Sequence, residues 1–321
     1  MLFQVITFIA ACLILSWLSA GLIKTLVDIA KYLKWREFMV GFFVMAFATS
    51  LPNLFVGVSA ALRGMPQLAF GDIVGGNLVD LTLVMGLAVL FGKKAYTSTK
   101  SETVQKSAIF TAIIAVLPML LIFDHNLSRI DGVILLLAFA VYASWIFSRK
   151  EHFTKVYSSM KKHKGSASPF WLLTNILKLI LFLILLLIAS YVIINSALIF
   201  SQKLGVSLAL VGILIVGLGN AFPEAYFSII SARRGQGWLV LGDLMGSVIV
   251  CATLVLGIVT VITPFTIDDF SPFLTARIFT IIAVILYFLV IRTEKQITKK
   301  EGLLLISIYI IFLITEVFVK F

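Results

Sequence analysis

Carboxyl, amide and hydroxyl groups occur inside segments of this chain that are otherwise apolar. Glu224 and Asp80 lie in the middle of two such segments. A charged side chain at the centre of a membrane helix costs at least roughly 2.5–3.5 kcal/mol, so such residues mark functional sites by default. Neutral oxygen-bearing residues accompany them, namely Thr49, Ser50, Asn53, Asn77, Asn220 and Ser247. Because oxygen ligands with carboxylates favour hard cations, these residues predict a site for an ion such as Na⁺ or Ca²⁺.

Two prolines lie beside the candidate ligands. Pro52 and Pro223 have no backbone N–H, so each predicts that the carbonyl four residues earlier, at Ala48 or Gly219, lacks its helical hydrogen bond. Inside a membrane such a carbonyl is tolerated only where it faces protein or a watery cavity. In that setting it can also bind a cation.

The residue pattern argues against catalysis. The three histidines all fall in predicted loops, and the two cysteines are far apart in the sequence, so neither residue type forms a metal-binding or redox motif. No serine-hydrolase, zinc-protease or nucleotide-binding motif stands in a suitable context. The sequence therefore predicts a protein that is not an enzyme.

The candidate ligands lie in two copies of one segment. Residues 41–86 and 212–257 align without gaps at a constant offset of 171, and 14 of the 46 paired positions are identical, including Pro52 with Pro223. Paired hydrophobic segments interrupted by glycine and proline, and inverted relative to each other in the membrane, are typical of secondary transporters.

Other identical pairs are interpreted as structural. Asp72 and Asp243 lie near the predicted starts of their helices, where a capping or fold-holding role is expected. The duplicated glycines, which include Gly71, Gly75 and Gly86, are expected to let helices approach closely.

Composition and hydropathy predict an all-α, polytopic membrane protein. Of the 321 residues, 61% are hydrophobic and 13% are charged, and the mean hydropathy is +1.11, which excludes an ordinary soluble domain. Apolar runs close to the roughly 20 residues that span a bilayer predict ten transmembrane helices. These runs lie near residues 2–23, 38–62, 67–92, 105–123, 130–148, 171–199, 208–232, 237–263, 273–291 and 302–319. Five helices per half make the two halves enter the membrane from opposite faces.

The distribution of positive charge predicts the orientation in the membrane. Although the net charge is +11, 20 of the 26 Lys and Arg residues fall on one side, in the loops after the odd-numbered helices. By the positive-inside rule this side is cytoplasmic, and both termini lie outside. The basic stretch from Arg149 to Lys164 is then a cytoplasmic linker near anionic lipid headgroups, and no nucleic-acid partner is expected.

We therefore predict three parts in this chain. Residues 1–148 form a first five-helix half, residues 149–170 form the basic linker, and residues 171–321 form the second half. The expected location is the plasma (inner) membrane of a prokaryote. The sequence leaves the oligomeric state open.

The repeated motifs resemble those of the cation/calcium exchanger superfamily, which includes sodium/calcium and calcium/proton exchangers. The family pattern is G-T-S-x-P-E followed by G-N/D-x-x-G-S-N-x-x-N/D, once in each half. Here the first copy reads ATSLPN at 48–53 and GDIVGGNLVD at 71–80, and the second reads GNAFPE at 219–224 and GDLMGSVIVC at 242–251. The resemblance covers the whole chain. It implies an antiporter that moves Ca²⁺ against Na⁺ or H⁺ by alternating access, with inorganic cations and the lipid bilayer as partners and no cofactor.

The resemblance also implies a set of ion ligands. The four corner residues are Asn53, Asp80, Glu224 and Cys251. The flanking hydroxyl positions are Thr49, Ser50, Gly76, Asn220, Ala221 and Ser247, and the carbonyl positions lie near Ala46 and Gly217. Asn53 stands where the family has a carboxylate, and Cys251 stands where it has Asn or Asp.

These departures keep two alternatives open. One is an exchanger of the same fold with altered ion selectivity, for a monovalent cation and protons or for another divalent cation. The other is a non-transporting membrane scaffold. Two central carboxylates, Asp80 and Glu224, balance one divalent ion or two monovalent ions, so fewer counter-ions per cycle are expected here than in sodium/calcium exchangers.

Overall fold

The protein is an all-α membrane protein, as the sequence predicts. The computed structural model describes residues 2–32, 45–92, 97–98, 102–148, 169–267, 271–293 and 296–320. Within these ranges nine helices are long and apolar enough to cross a membrane. The second predicted helix is described only from Met45 onward, and the predicted linker lies almost wholly outside the described residues. Large apolar side chains such as Trp17, Phe170 and Phe318 are exposed on the outside of the bundle, as a lipid-facing surface requires.

The helices follow the predicted apolar runs. We number them α1 (Leu2–Tyr32), α2 (Met45–Thr49 and Leu51–Leu62), α3 (Pro66–Phe91), α4 (Glu102–Leu121), α5 (Arg129–Phe147), α6 (Pro169–Leu204), α7 (Leu208–Arg233), α8 (Gly237–Ile262), α9 (Ser271–Thr293) and α10 (Lys299–Lys320). The main difference is in α1 and α6, which continue beyond their apolar runs. The 36 residues of α6 span about 54 Å at 1.5 Å per residue, so α6 is longer than the hydrocarbon core of a bilayer is thick.

Two short antiparallel ribbons connect the halves. Strand β1 (Thr97–Ser98), between α3 and α4, pairs with β4 (Gln296–Ile297), between α9 and α10. Strand β2 (Asn126–Leu127), between α4 and α5, pairs with β3 (Phe265–Thr266), between α8 and α9. Because α4 separates β1 from β2, the two ribbons lie at opposite ends of the bundle. The connection after α3 and its counterpart after α8 therefore lie at opposite ends, as an inverted repeat requires.

Helices α3 and α8 form the centre of the molecule. Their most apolar stretches are 83% and 78% buried, more than those of any other described span. Helix α3 packs against α7, and the first segment of α2 packs against α8, so each central helix crosses a helix of the opposite half.

The crossing of α3 and α7 brings their backbones into contact. A Cβ atom added to Gly71 would lie 2.3 Å from the Ala209 carbonyl oxygen, and one added to Gly75 would lie 2.1 Å from that of Ile213. A Cβ atom at Gly86 would lie 2.6 Å from a carbonyl oxygen of α10. The prediction that these glycines allow close helix approach is confirmed.

The four helices of the repeat are irregular at matching positions. Helix α2 is interrupted by a turn at Ser50, and α7 is interrupted at Ala221, which corresponds to Ser50 at the offset of 171. Helices α3 and α8 each contain a π-helical turn, at Asp80–Val84 and Val250–Val255. Such turns are rare and occur often at functional sites. These four irregular positions coincide with the candidate ligands or lie next to them, whereas a further π-helical turn in α7, at Gly212–Val216, contains none of them.

Candidate ion-binding site

Hydrogen bonds join α2, α7 and α8 through the hydroxyl of Ser247. Ser50 Oγ lies 3.2 Å from Ser247 Oγ, and the Ser247 hydroxyl donates to Glu224 Oε1 at 3.4 Å. The Ser247 hydroxyl also interacts with the carboxylate of Asp80 on α3. All four side chains are buried. The structure thus brings together predicted ligands from all four helices of the repeat.

The two corner residues that depart from the family pattern contact each other. The Asn53 amide nitrogen donates to Cys251 Sγ at 3.2 Å, and both residues are buried. The other two corners, Asp80 and Glu224, interact electrostatically. One side of the site is therefore neutral, and the other carries the carboxylates.

A third carboxylate lies close to the acidic side. Asp243 interacts electrostatically with both Asp80 and Glu224, and it is fully buried. The packing of α8 therefore adds Asp243 to the electrostatic surroundings of Asp80 and Glu224, the two carboxylates predicted at the centre of the site.

Of the capping or fold-holding role predicted for Asp72 and Asp243, the capping part is wrong for both residues, whereas their hydrogen bonds to helices of the opposite half agree with the fold-holding part. Neither helix has a side-chain cap hydrogen bond at its start. Instead, Asp72 accepts from the Asn220 amide nitrogen at 3.1 and 3.0 Å, and Asp243 accepts from the Thr49 hydroxyl at 3.0 Å. Both acids therefore belong to the surroundings of the site. The duplication of these acids in the sequence indicated that they matter, but it could not distinguish a helix-capping role from a contact with a predicted ligand residue.

Several buried oxygens around the helix breaks have no hydrogen-bond partner among the described residues. They are Asn53 Oδ1, Asp80 Oδ1, Asn220 Oδ1, Glu224 Oε2 and Asp243 Oδ2. Burying an oxygen without a partner is unfavourable, so nearly all buried polar atoms in proteins are paired. A group of unpaired acceptors on adjoining helices suits the binding of a cation, since a cation satisfies several oxygens at once.

The remaining predicted ligands differ in their contacts. Asn77 is buried in α3, three residues before Asp80. The Ala46 carbonyl accepts from the Ser50 hydroxyl at 2.8 Å, and that of Gly217 accepts from a backbone N–H at 3.2 Å. These two carbonyls are therefore already engaged within their own helices.

Other metal-binding chemistry has no support in the described part of the chain. No three side chains of His, Cys, Asp or Glu come together there as a metal-binding cluster. Cys12 and Cys251 are both unbridged and buried, and His152 and His163 lie outside the described residues. A cation at the helix breaks would therefore need the neutral oxygens in addition to the carboxylates.

Comparison with known proteins links this arrangement to one family. The family described as "Sodium/calcium exchanger protein" matches residues 3–148 and 174–318. The chain is 25% identical to the "Putative antiporter CaxA" of Alkalimonas amylolytica over 97% of each protein. It is 24% identical to the "Sodium/calcium exchanger MaX1" of Methanosarcina acetivorans, covering 91% of this chain and 92% of that protein.

Solved structures show the same fold. The sodium-calcium exchanger NCX_Mj soaked with 2.5 mM Na⁺ and 1 mM Sr²⁺ has a TM-score of 0.67 at 23% identity over 96% of each chain. The same exchanger soaked without Na⁺ and Ca²⁺ has a TM-score of 0.65 at 22% identity, covering 98% of this chain and 99% of that one.

Proposed function

Because this chain belongs to the sodium/calcium exchanger protein family, we propose that it is a secondary active antiporter that moves Ca²⁺ against Na⁺ or H⁺ by alternating access. It acts in this proposal as a transporter and not as an enzyme, and the cations are its cargo. The proposed location is a prokaryotic plasma membrane, with both termini outside. The two five-helix halves, residues 1–148 and 171–321, supply matching helix breaks to one central site.

The observation that carries the proposal is the group of unpaired buried oxygens at the helix breaks. Asp80 and Glu224 supply negative charge, and Ser50 and Ser247 supply neutral oxygens beside them. In a low-dielectric interior the attraction between these carboxylates and a cation is much stronger than in water. A scaffold without transport would gain nothing from such buried acids.

The contact between Asn53 and Cys251 favours a second candidate function. Two of the four corner positions carry no carboxylate and satisfy each other by a hydrogen bond. A site with less negative charge and a sulfur atom at one corner can prefer a different cation. An exchanger of the same fold with altered ion selectivity is therefore the alternative.

Transport by the purified protein in liposomes tests both candidates. We expect radiolabelled Ca²⁺ uptake when an outward gradient of Na⁺ or H⁺ is imposed, and none when the gradient is of K⁺. Glu224→Gln should abolish uptake because it removes a carboxylate from the site, whereas Lys178→Met, on the exposed surface of α6, should retain it. Replacing the Ca²⁺ tracer with Mn²⁺ or Na⁺ tests the alternative.

Three outcomes would reject the main proposal. Ca²⁺ uptake that persists in Glu224→Gln would place the site elsewhere in the molecule. Flux of another cation without Ca²⁺ flux would favour altered selectivity. The absence of any cation flux in the wild-type protein would favour the scaffold.

A further inference from the structure

One contact between a carboxylate and a ligand residue occurs twice in the molecule. Asp72 on α3 accepts from Asn220 at the break of α7, and Asp243 on α8 accepts from Thr49 at the break of α2. Thr49 corresponds to Asn220, and Asp72 corresponds to Asp243, at the offset of 171. Each acid thus contacts the broken helix of the opposite half. All four side chains are buried, none more than 1% exposed.

The chemistry of an amide gives the first contact a consequence for ion binding. The Asn220 side chain carries donors on its nitrogen and an acceptor on its oxygen. The amide nitrogen faces Asp72, because both carboxyl oxygens of Asp72 lie within 3.1 Å of it and can accept from it. The amide oxygen is on the other branch of the side chain and therefore points away from Asp72. That oxygen is buried and has no partner among the described residues.

We infer that Asp72 is a positioning residue of the ion site, which holds the Asn220 amide so that its carbonyl oxygen faces the cation. Without the carboxylate the amide can rotate by half a turn and present its N–H groups, which repel a cation. The inference rests on the proposed function for the identity of the site, and adds a residue that does not itself touch the ion. The matching contact between Asp243 and Thr49 supports it. There the Thr49 hydroxyl directs its hydrogen toward the Asp243 carboxyl group at 3.0 Å and the Ala46 carbonyl at 3.1 Å, which leaves the lone pairs of its oxygen available.

Asp72 is the better of the two acids for a test. Asp243 interacts electrostatically with Asp80 and Glu224, so its removal would also change the charge at the site. The carboxylate of Asp72 is linked to the site through Asn220, and its neighbour on α1 is the neutral Cys12. An effect of Asp72 on ion affinity would therefore report the orientation of Asn220.

The test combines a single variant with an exchange of the two side chains. In Asp72→Asn the new amide can both donate and accept, so it no longer fixes the orientation of Asn220. In Asp72→Asn with Asn220→Asp the same pair is restored in reverse, because Asn at 72 donates to Asp at 220. Ser190→Ala is the matched control, since it removes a buried hydroxyl on α6 that donates to the Leu186 carbonyl of the same helix.

The main measurement is the concentration of Ca²⁺ or Na⁺ that gives half-maximal thermal stabilisation of the purified protein. Transport assays of the same variants give the half-saturating cation concentration and the maximal rate. Loss of the hydrogen bond that orients Asn220 predicts an increase in the half-stabilising concentration on the order of tenfold for Asp72→Asn. The reversed pair should recover most of the loss, and Ser190→Ala should leave the concentration unchanged. The maximal rate at saturating cation should fall much less than the affinity.

Two results would overturn the inference. One is an unchanged half-stabilising concentration in Asp72→Asn. The other is a reversed pair that binds no better than Asp72→Asn alone. A wild-type protein that cations stabilise but that transports none would reject the proposed function and leave this test intact, whereas a wild-type protein that no cation stabilises would reject both.

Discussion

At the scale of single residues, the proposed ion site has one neutral side and one acidic side. Asn53 and Cys251 are joined by a hydrogen bond, while Asp80 and Glu224 each have a carboxylate oxygen with no partner in the part of the chain that the structure describes. Charge balance in a membrane interior limits how many cations such a site holds at once, because an uncompensated charge is costly there. If the chain works as the proposed antiporter, we therefore expect the neutral side to limit the number of counter-ions in each cycle.

Restoring acidic residues on the neutral side should change both affinity and charge movement. We expect Asn53→Glu with Cys251→Asp to lower the half-saturating concentration of Na⁺ or Ca²⁺ and to make exchange more sensitive to membrane potential, because added carboxylates attract more cations. Tracer uptake at imposed potentials measures both effects. Asn53→Gln with Cys251→Asn is the control, since it adds nearly the same volume without charge. A clear Na⁺-driven inward current in the wild-type protein would contradict the charge argument.

The ligand types could be predicted from the sequence, but the partners of two acids could not. Glu224 and Asp80 were recognisable because charges are rare in apolar runs. Asp72 looks like a capping residue in the sequence, since it lies near a helix start. Its true partner, Asn220, is 148 residues away along the chain. Only the packing of α3 against α7 shows that this acid faces a ligand residue.

At the scale of helices, the crossing of α3 and α7 depends on the absence of side chains at particular glycines. We expect Gly75→Ala to destabilise the protein by about 2 kcal/mol or more, because its Cβ atom would lie 2.1 Å from the Ile213 carbonyl oxygen. The neighbouring Gly76→Ala is the matched control, since its Cβ atom would meet nothing closer than 3.8 Å. Thermal unfolding in detergent measures both variants. Equal unfolding temperatures would show that the two backbones can separate without cost.

The helices themselves were largely predictable, and their irregular parts were not. Apolar runs and prolines gave the spans and the approximate places where α2 and α7 break. The π-helical turns at Asp80–Val84 and Val250–Val255 have no signal in local composition, because an extra residue in one turn leaves the apolar pattern of a fully buried helix unchanged. Glycine content predicted close approach, but the facing helix emerged only from the fold.

At the scale of the whole molecule, the two ribbons place corresponding connections at opposite ends of the bundle. Hydropathy and charge counting predicted this inversion, because five helices per half is an odd number. The ribbons do not tell which end faces the cytoplasm. That assignment rests on the bias of Lys and Arg.

Thiol labelling in intact cells tests the orientation. A cysteine placed at Ser201, near the end of α6, should react with a membrane-impermeant reagent, because this end is predicted to be outside. A cysteine placed at Ser158, in the linker outside the described residues, should be protected until the cells are opened. The native Cys12 and Cys251 are buried and should contribute little background. Labelling of Ser158 in intact cells would reverse the proposed orientation.

The glycine contact between α3 and α7 has a consequence for how the protein is made. During synthesis α3 enters the membrane before α7 has been made. The glycine face of α3 therefore stays unpacked until α7 is inserted. The first half should therefore be a substrate for membrane proteases when it is produced alone. Two separate polypeptides, divided within the linker and co-expressed, should assemble and escape degradation. Pulse-chase labelling measures the lifetime of each half, expressed alone and together with the other. A first half that is equally long-lived without its partner would show that it folds independently.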